Sequence, residues 1–217
     1  MKRMFWLSIA LFAAAQASAE VAAPTVLDKY IANVRTLRAE FSQTVTDSKG
    51  EVVSQADGKF VIVRPGRFRW ELTPQIDASR DATPQLMIAD GLNLWFYDRD
   101  LEQVSVKPAA SALTATPASL LSGDGDFREY FKVATASRRD GLDWVKVTPT
   151  APDADFREAQ IGFAGAGVEL KRMVLKDKLG QTVRLDFTTS VRNQPVGEDE
   201  VKFVPPPGAD VIGTPAS

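Results

Sequence analysis

From residue 39 to residue 191 the chain keeps returning to one pattern: a short run in which apolar and polar residues alternate, then a tight turn. Alternation places successive side chains on opposite faces of a strand, so each run can bury one face only. The alternation in Ala39, Phe41, Gln43 and Val45 opens the series, and Asp47-Ser48-Lys49-Gly50 supplies the first hairpin turn. Strands are expected at 51–63, 67–73, 85–89, 92–98, 101–107, 132–137, 142–149, 157–164, 168–176 and 181–191. Asp90-Gly91 and Asp177-Lys178-Leu179-Gly180 mark two more turns. Short strands joined by tight turns make an antiparallel meander, mainly β with a few α-helices.

Two helical signals stand outside the pattern. In TVLDKYIANVRTLRAE, Thr25 and Asp28 form an approximate capping box, and Leu27, Tyr30, Ile31, Val34 and Leu37 recur at helical spacing, which predicts a helix over 25–37. In TPASLLSGD, Thr116 can cap, Pro117 suits a first helical position, Gly123 can close the helix, and Leu120 and Leu121 give it an apolar side. DFREYF, 126–131, can add a further turn. The Pro- and Ala-rich stretch 108–119 interrupts the sheet without dividing the chain into domains.

The hairpin VRPGRFRWEL, 63–72, poses a problem of parity. With a three-residue loop of Pro65, Gly66 and Arg67, counting by twos puts Phe60, Ile62, Arg64, Phe68, Trp70 and Leu72 on one face. A two-residue Pro-Gly turn would set Arg64 opposite Arg67 instead; the first keeps one continuous apolar face. A buried guanidinium is costly unless it meets acceptors, so this arrangement requires partners for Arg64.

The N-terminus reads as an export signal: Lys2 and Arg3, an apolar stretch from Met4 to Ala15, then Ala17-Ser18-Ala19 before the expected cleavage after Ala19. Residues 20–217 then form a single expected domain, more acidic than the formal charge of −2 because two cations leave with the signal. That balance disfavours a nucleic-acid partner. The sequence contains no Cys and no His, which removes disulfides, a lipobox, Ser-His-Asp and Cys-His catalysis and His-rich metal sites. GDGDF, 123–127, lacks the ligand spacing of a calcium loop, and Asp98, Asp100 and Glu102 read as a polar turn. No catalytic residue, metal site or cofactor is expected.

TLRAEFSQTVTD (36–47), VRPGRFRWEL, DGLNLWFYDRDLEQVSV (90–106), TPASLL (116–121) and FVPPPGADVI (203–212) occur in an order that resembles the outer-membrane lipoprotein carrier family, LolA. The resemblance implies an unclosed antiparallel β-barrel of about 11 strands whose concave side is covered by a helical lid. It implies that Arg64 latches the lid by binding helix carbonyls and that Phe68 and Trp70 line an acyl cavity. Phe60 and Ile62 join them by parity, and Leu27, Tyr30, Ile31, Val34, Leu120 and Leu121 become the lid's apolar side. Arg99, where relatives often carry proline, departs from the pattern at a turn. The implied protein is a monomeric periplasmic carrier with acylated lipoproteins as cargo, an inner-membrane ABC exporter as donor and an outer-membrane acceptor, and without enzymatic chemistry. A lipid-sensing regulatory module similar to RseB is the alternative, disfavoured by the lack of an appended second domain. The C-terminal GADVIGTPAS matches an extension that distinguishes carrier from acceptor, and Val211 and Ile212 are expected to dock after the triple proline at 205–207.

Overall fold

The structure is a computed structural model that describes residues 23–75, 85–109, 117–123, 127–152, 154 and 156–216. The expected export signal, the proposed cap Thr116 and most of GDGDF lie outside the described residues.

The strands of the described residues belong to one sheet. In chain order they are β1 (Thr36–Thr46), β2 (Val52–Val63), β3 (Arg67–Pro74), β4 (Gln85–Ala89), β5 (Asn93–Asp98), β6 (Gln103–Pro108), β7 (Phe131–Arg139), β8 (Leu142–Pro149), β9 (Phe156–Ala164), β10 (Glu169–Asp177), β11 (Thr182–Arg192) and β12 (Asp210–Ile212). Across the sheet the order is β12-β6-β5-β4-β3-β2-β1-β11-β10-β9-β8-β7. The meander therefore folds as two runs joined where β1 pairs with β11, and β12 and β7 remain as unjoined edges. Buried side chains from β2 and β3 share one cluster with those of β8, β9 and β10, so the sheet curls around a common core without closing.

The turns form for local reasons. Asp47 Oδ1 accepts from the Lys49 and Glu51 N–H groups at 2.8 and 3.0 Å, and Asp177 Oδ1 accepts from those of Leu179 and Gln181, both at 2.8 Å. These Asx-type turns bring the chain back in register while Gly50 and Gly180 take positive φ.

Among the described residues, helices outside the sheet include α1 (Val26–Asn33), α2 (Pro117–Ser122) and α3 (Phe127–Tyr130). The first is shorter than the apolar spacing predicts. Val34 caps it at φ −109° and ψ 100°, and Leu37 already belongs to β1, opposite Ile62 and Arg192. Sheet pairing on both sides wins over helical periodicity at this junction, helped by Asn193, whose side chain accepts from the Arg35 N–H at 2.8 Å.

The twelfth strand is a second departure. It runs parallel to β6, with Val211 opposite Val104. Val211 and Ile212 dock by their backbone, while their side chains stay 41 and 49% exposed. A 3₁₀ turn at Glu198–Val201 lies earlier in the same C-terminal segment and is tied to the outer face of β1 and β3 through Arg38–Glu200 (2.6 Å) and Arg67–Glu198 (3.0 Å). Phe203 then packs its ring 5.6 Å from that of Trp95, within a small second cluster containing Val104 and Val106. Asn93 finishes the attachment by exchanging two hydrogen bonds with the Ala216 backbone, at 2.7 and 3.1 Å.

Candidate functional site

The β2–β3 hairpin puts its apolar row where parity requires. Phe60 faces Trp70 and Ile62 faces Phe68 across the ladder, and all four are buried. The loop itself is Arg64, Pro65 and Gly66, with Val63 opposite Arg67, one residue earlier than the loop expected from sequence. Both loops contain an odd number of residues, so the faces are unaffected. Phe41 from β1 joins the row, its ring 4.4 Å from Trp70, and Phe60 sits 4.9 Å from Trp70. Gly58 makes this possible: a Cβ there would lie 2.1 Å from the Phe41 ring.

Leu27, Tyr30 and Ile31 of α1, Val34 at its cap, and Leu120 and Leu121 of α2 are buried in the same cluster, α2 against β3 and α1 against β8 and Phe163 of β9. Sheet row and helix sides form one continuous apolar cluster. The helices thus cover the surface that the strands would otherwise present to water.

Arg64 is the polar exception, 8% exposed at the rim of that cluster. Its Nε donates to the Val34 carbonyl at 2.8 Å, one Nη to the Leu121 carbonyl at 2.5 Å, and the other Nη to the Gly123 carbonyl. Each acceptor is a carbonyl at a helix end that has no intrahelical donor, and the negative end of the helix dipole favours a cation there. The guanidinium is also 5.2 Å from the centre of the Tyr30 ring. Backbone bonds reinforce the joint: Arg64 N–H donates to the Arg35 carbonyl at 2.9 Å and Gly66 N–H to the Ser122 carbonyl at 3.1 Å. One loop of the sheet is therefore stitched to the ends of two helices.

A second tie joins the helices to each other. Asp28 accepts from the Thr25 N–H (2.5 Å) and hydroxyl (2.7 Å), as the capping box predicts, and from Nη2 and Nε of Arg128 on α3 at 2.7 and 3.2 Å. Burial acts to raise the Asp28 pKa, but the bonds from Arg128 and Thr25 outweigh it and hold the carboxyl below the usual aspartate value. Nothing in the sequence pointed to Arg128, because its partner lies a hundred positions away. A crevice of about 500 Å³ opens beside these ties, lined by Asp28, Ile31, Ala32, Arg35, Arg64, Pro65 and Phe127.

A larger groove of about 610 Å³ lies between the outer face of β1–β3 and the C-terminal segment, but Arg38, Glu40, Lys59, Arg69, Glu71, Asp199 and Glu200 line much of it. Asp98, singled out in sequence beside Asp100, accepts from the Asp100 and Leu101 N–H groups and organises a turn. Among the described residues no three acidic side chains come together as a metal site would require.

An open, curled β-sheet whose apolar face is covered by short helices, with a buried arginine binding the helix ends, defines a class of lidded half-barrels. Residues 32–204 match the model of the family described as outer membrane lipoprotein carrier protein LolA, and the chain belongs to that family. It is 38% identical over 207 residues to an outer-membrane lipoprotein carrier protein of Dechloromonas aromatica, covering 95% of each chain. A protein of the same description from Cupriavidus necator is 37% identical over 208 residues, covering 94% of each. In fold alone the chain is similar to an uncharacterized conserved protein from Thermus thermophilus, with a TM-score of 0.50 at 14% identity, covering 86% of this chain and 96% of that one.

Proposed function

We propose that this protein is a periplasmic carrier that shelters the acyl chains of lipoproteins between its apolar sheet face and its helical lid. It takes them from an inner-membrane ABC exporter and delivers them to an outer-membrane acceptor, without chemistry of its own. Cleavage after Ala19 releases it as a monomer into the periplasm. Phe60, Ile62, Phe68 and Trp70 meet the acyl chains from the sheet side; Leu27, Tyr30, Ile31, Val34, Leu120 and Leu121 meet them from the lid. The observation that carries this reading is Arg64, a charged group bonded to three helix-end carbonyls at the edge of an otherwise apolar cluster.

The energetics explain why such a latch suits a carrier. At about 0.8 kcal/mol per methylene, an acyl chain of about 16 carbons costs roughly 12 kcal/mol to bring into water. Unassisted crossing between membranes is negligible at that cost. The carrier must offset most of it and still let go. In the closed protein the lid occupies the surface the cargo needs, so cargo and lid compete. Three charge-assisted bonds of about 1.5–3 kcal/mol each, reduced by the cost of burying the guanidinium, give the lid enough hold to oppose the cargo without excluding it. Because the guanidinium keeps its charge across physiological pH, the competition does not depend on acidity.

The test is to purify the mature protein from periplasm without detergent and analyse bound material by mass spectrometry. Co-purified acylated protein at a stoichiometric level is the expected result. A protein free of acyl groups even when the exporter is overproduced would overturn the reading.

A further inference from the structure

Tyr30 carries a hydroxyl that the packing of α1 does not need. Its side chain is 0% exposed, its ring lies 5.2 Å from that of Phe163, and the apolar stripe of the helix would be served equally by phenylalanine. Among the described residues the Tyr30 hydroxyl has no partner that accepts its proton; the Arg64 side chain, close enough to pull its pKa down, can only donate to it. Buried hydroxyls nearly always have partners, and one whose proton has no acceptor calls for an explanation. Arg64, beside the ring, cannot take the phenolic hydrogen, because a guanidinium offers donors only. Burial pushes the Tyr30 pKa up to about 12 against the opposing pull of the Arg64 charge, so the group is a neutral phenol and keeps the proton it has to donate. What it lacks is an acceptor that enters an apolar interior.

An acyl chain brings one such acceptor, the ester or amide carbonyl at its head. We infer that the Tyr30 hydroxyl is a binding group for that carbonyl, which fixes the orientation of the cargo. This rests on the carrier reading above. The head of the chain then lies at the Arg64 rim, next to the crevice lined by Asp28, Ile31, Arg35 and Phe127, through which polar parts of the cargo can reach water. The hydrocarbon extends from there toward Phe60 and Trp70. The unused donor also favours loading over closure, since it finds an acceptor only when cargo is present.

The experiment compares wild-type mature protein with Tyr30→Phe, which removes the oxygen and nothing else. Two probes of equal chain length, 1-monopalmitoylglycerol and its ether analogue 1-O-hexadecylglycerol, are titrated below their micelle concentrations against a fluorescent acyl reporter. The ether keeps the hydrocarbon and loses the carbonyl. The expected result is that the ester-to-ether affinity ratio falls roughly fivefold in Tyr30→Phe, the worth of about one neutral hydrogen bond, while the empty variant melts no lower than wild type. An unchanged ratio overturns the assignment of Tyr30 and leaves the carrier reading standing. A lowered melting temperature of the empty variant also overturns it, by showing that the hydroxyl is already partnered without cargo. If neither probe binds wild-type protein, the acyl cavity itself fails and the inference fails with it.

Discussion

Replacing Arg64 by leucine separates the two states between which a carrier must move. In the closed protein the substitution deletes the bonds to the Val34, Leu121 and Gly123 carbonyls and leaves those oxygens to the apolar interior or to a loosened lid. In the proposed loaded state the lid is displaced and the arginine solvated, so its loss should change little there. Three charge-assisted bonds nominally amount to about 5–9 kcal/mol. Several kcal/mol of guanidinium desolvation are subtracted, and the three are not independent. A net loss of about 1–3 kcal/mol of closure follows. Cargo affinity rises by the factor that closure had opposed, roughly 5- to 150-fold. Loading from inner-membrane vesicles into soluble complex should therefore succeed, and transfer of that complex to acceptor-bearing membranes should stall, so that loaded carrier accumulates. The assay is a two-stage transfer with purified components, with lipoprotein counted in the soluble and membrane fractions after each stage. Wild-type behaviour in both stages would refute the latch. Failure at loading with onward transfer intact would show that its direction had been reversed.

Phe68→Glu places a carboxylate beside Phe60 and Ile62 in the apolar cluster; the sheet should remain by far-ultraviolet circular dichroism while acyl binding is lost, because the proposed lid can lift and admit water but the cavity can no longer accept hydrocarbon. Loss of the sheet signal as well would mean that Phe68 holds up a permanently packed core. Asp28→Asn should weaken the tie between α1 and α3, with a coupling to Arg128 of about 0.5–1 kcal/mol in a double-mutant cycle at neutral pH, modest because both groups are partly exposed. The Asp28 pKa lies below its ordinary value of 3.8, so this stabilisation is present above that value and disappears as pH falls through the folded-state value; the variant should show a shallower acid loss of melting temperature. Gly213→Ala would put a Cβ 2.2 Å from the Val106 carbonyl oxygen at a φ of 104°, so hydrogen exchange at β12 should speed up markedly while the melting of the main sheet changes little.

The face occupied by Phe60, Ile62, Arg64, Phe68 and Trp70 was legible in the sequence because a two-residue period survives any loop of odd length, even though the loop itself was misplaced by one residue. The end of α1 was not. Val34 and Leu37 continue the apolar spacing of the helix across a junction where Thr36 and Leu37 are already paired on both sides, and no local count can register partners as distant as Val63 and Arg192. The same limit hid Arg128, an ordinary surface arginine by composition that becomes a lid contact only through the fold. β12 escaped notice for another reason: three residues between a proline-rich run and Gly213 carry too little alternation to mark a strand. Arg64 could be flagged as anomalous from parity alone, but its partners could not. They are backbone carbonyls, and backbone carbonyls have no residue type to read.

The joint between β1 and β11 has a consequence for how the molecule comes into being. Residues 36–46 are made well before 182–192, yet the two segments lie side by side in the middle of the sheet. A chain that emerges N-terminus first can pair β1 with β2 at once, but the other edge of β1 stays bare until β11 has emerged. The topology allows the two runs of the meander to form as separate leaves before β1 and β11 join them. Such long-range pairing is slow to find, and it leaves a single interval in which an exposed strand edge invites wrong partners. A truncation ahead of residue 182 would forfeit this joint, not merely shorten an end.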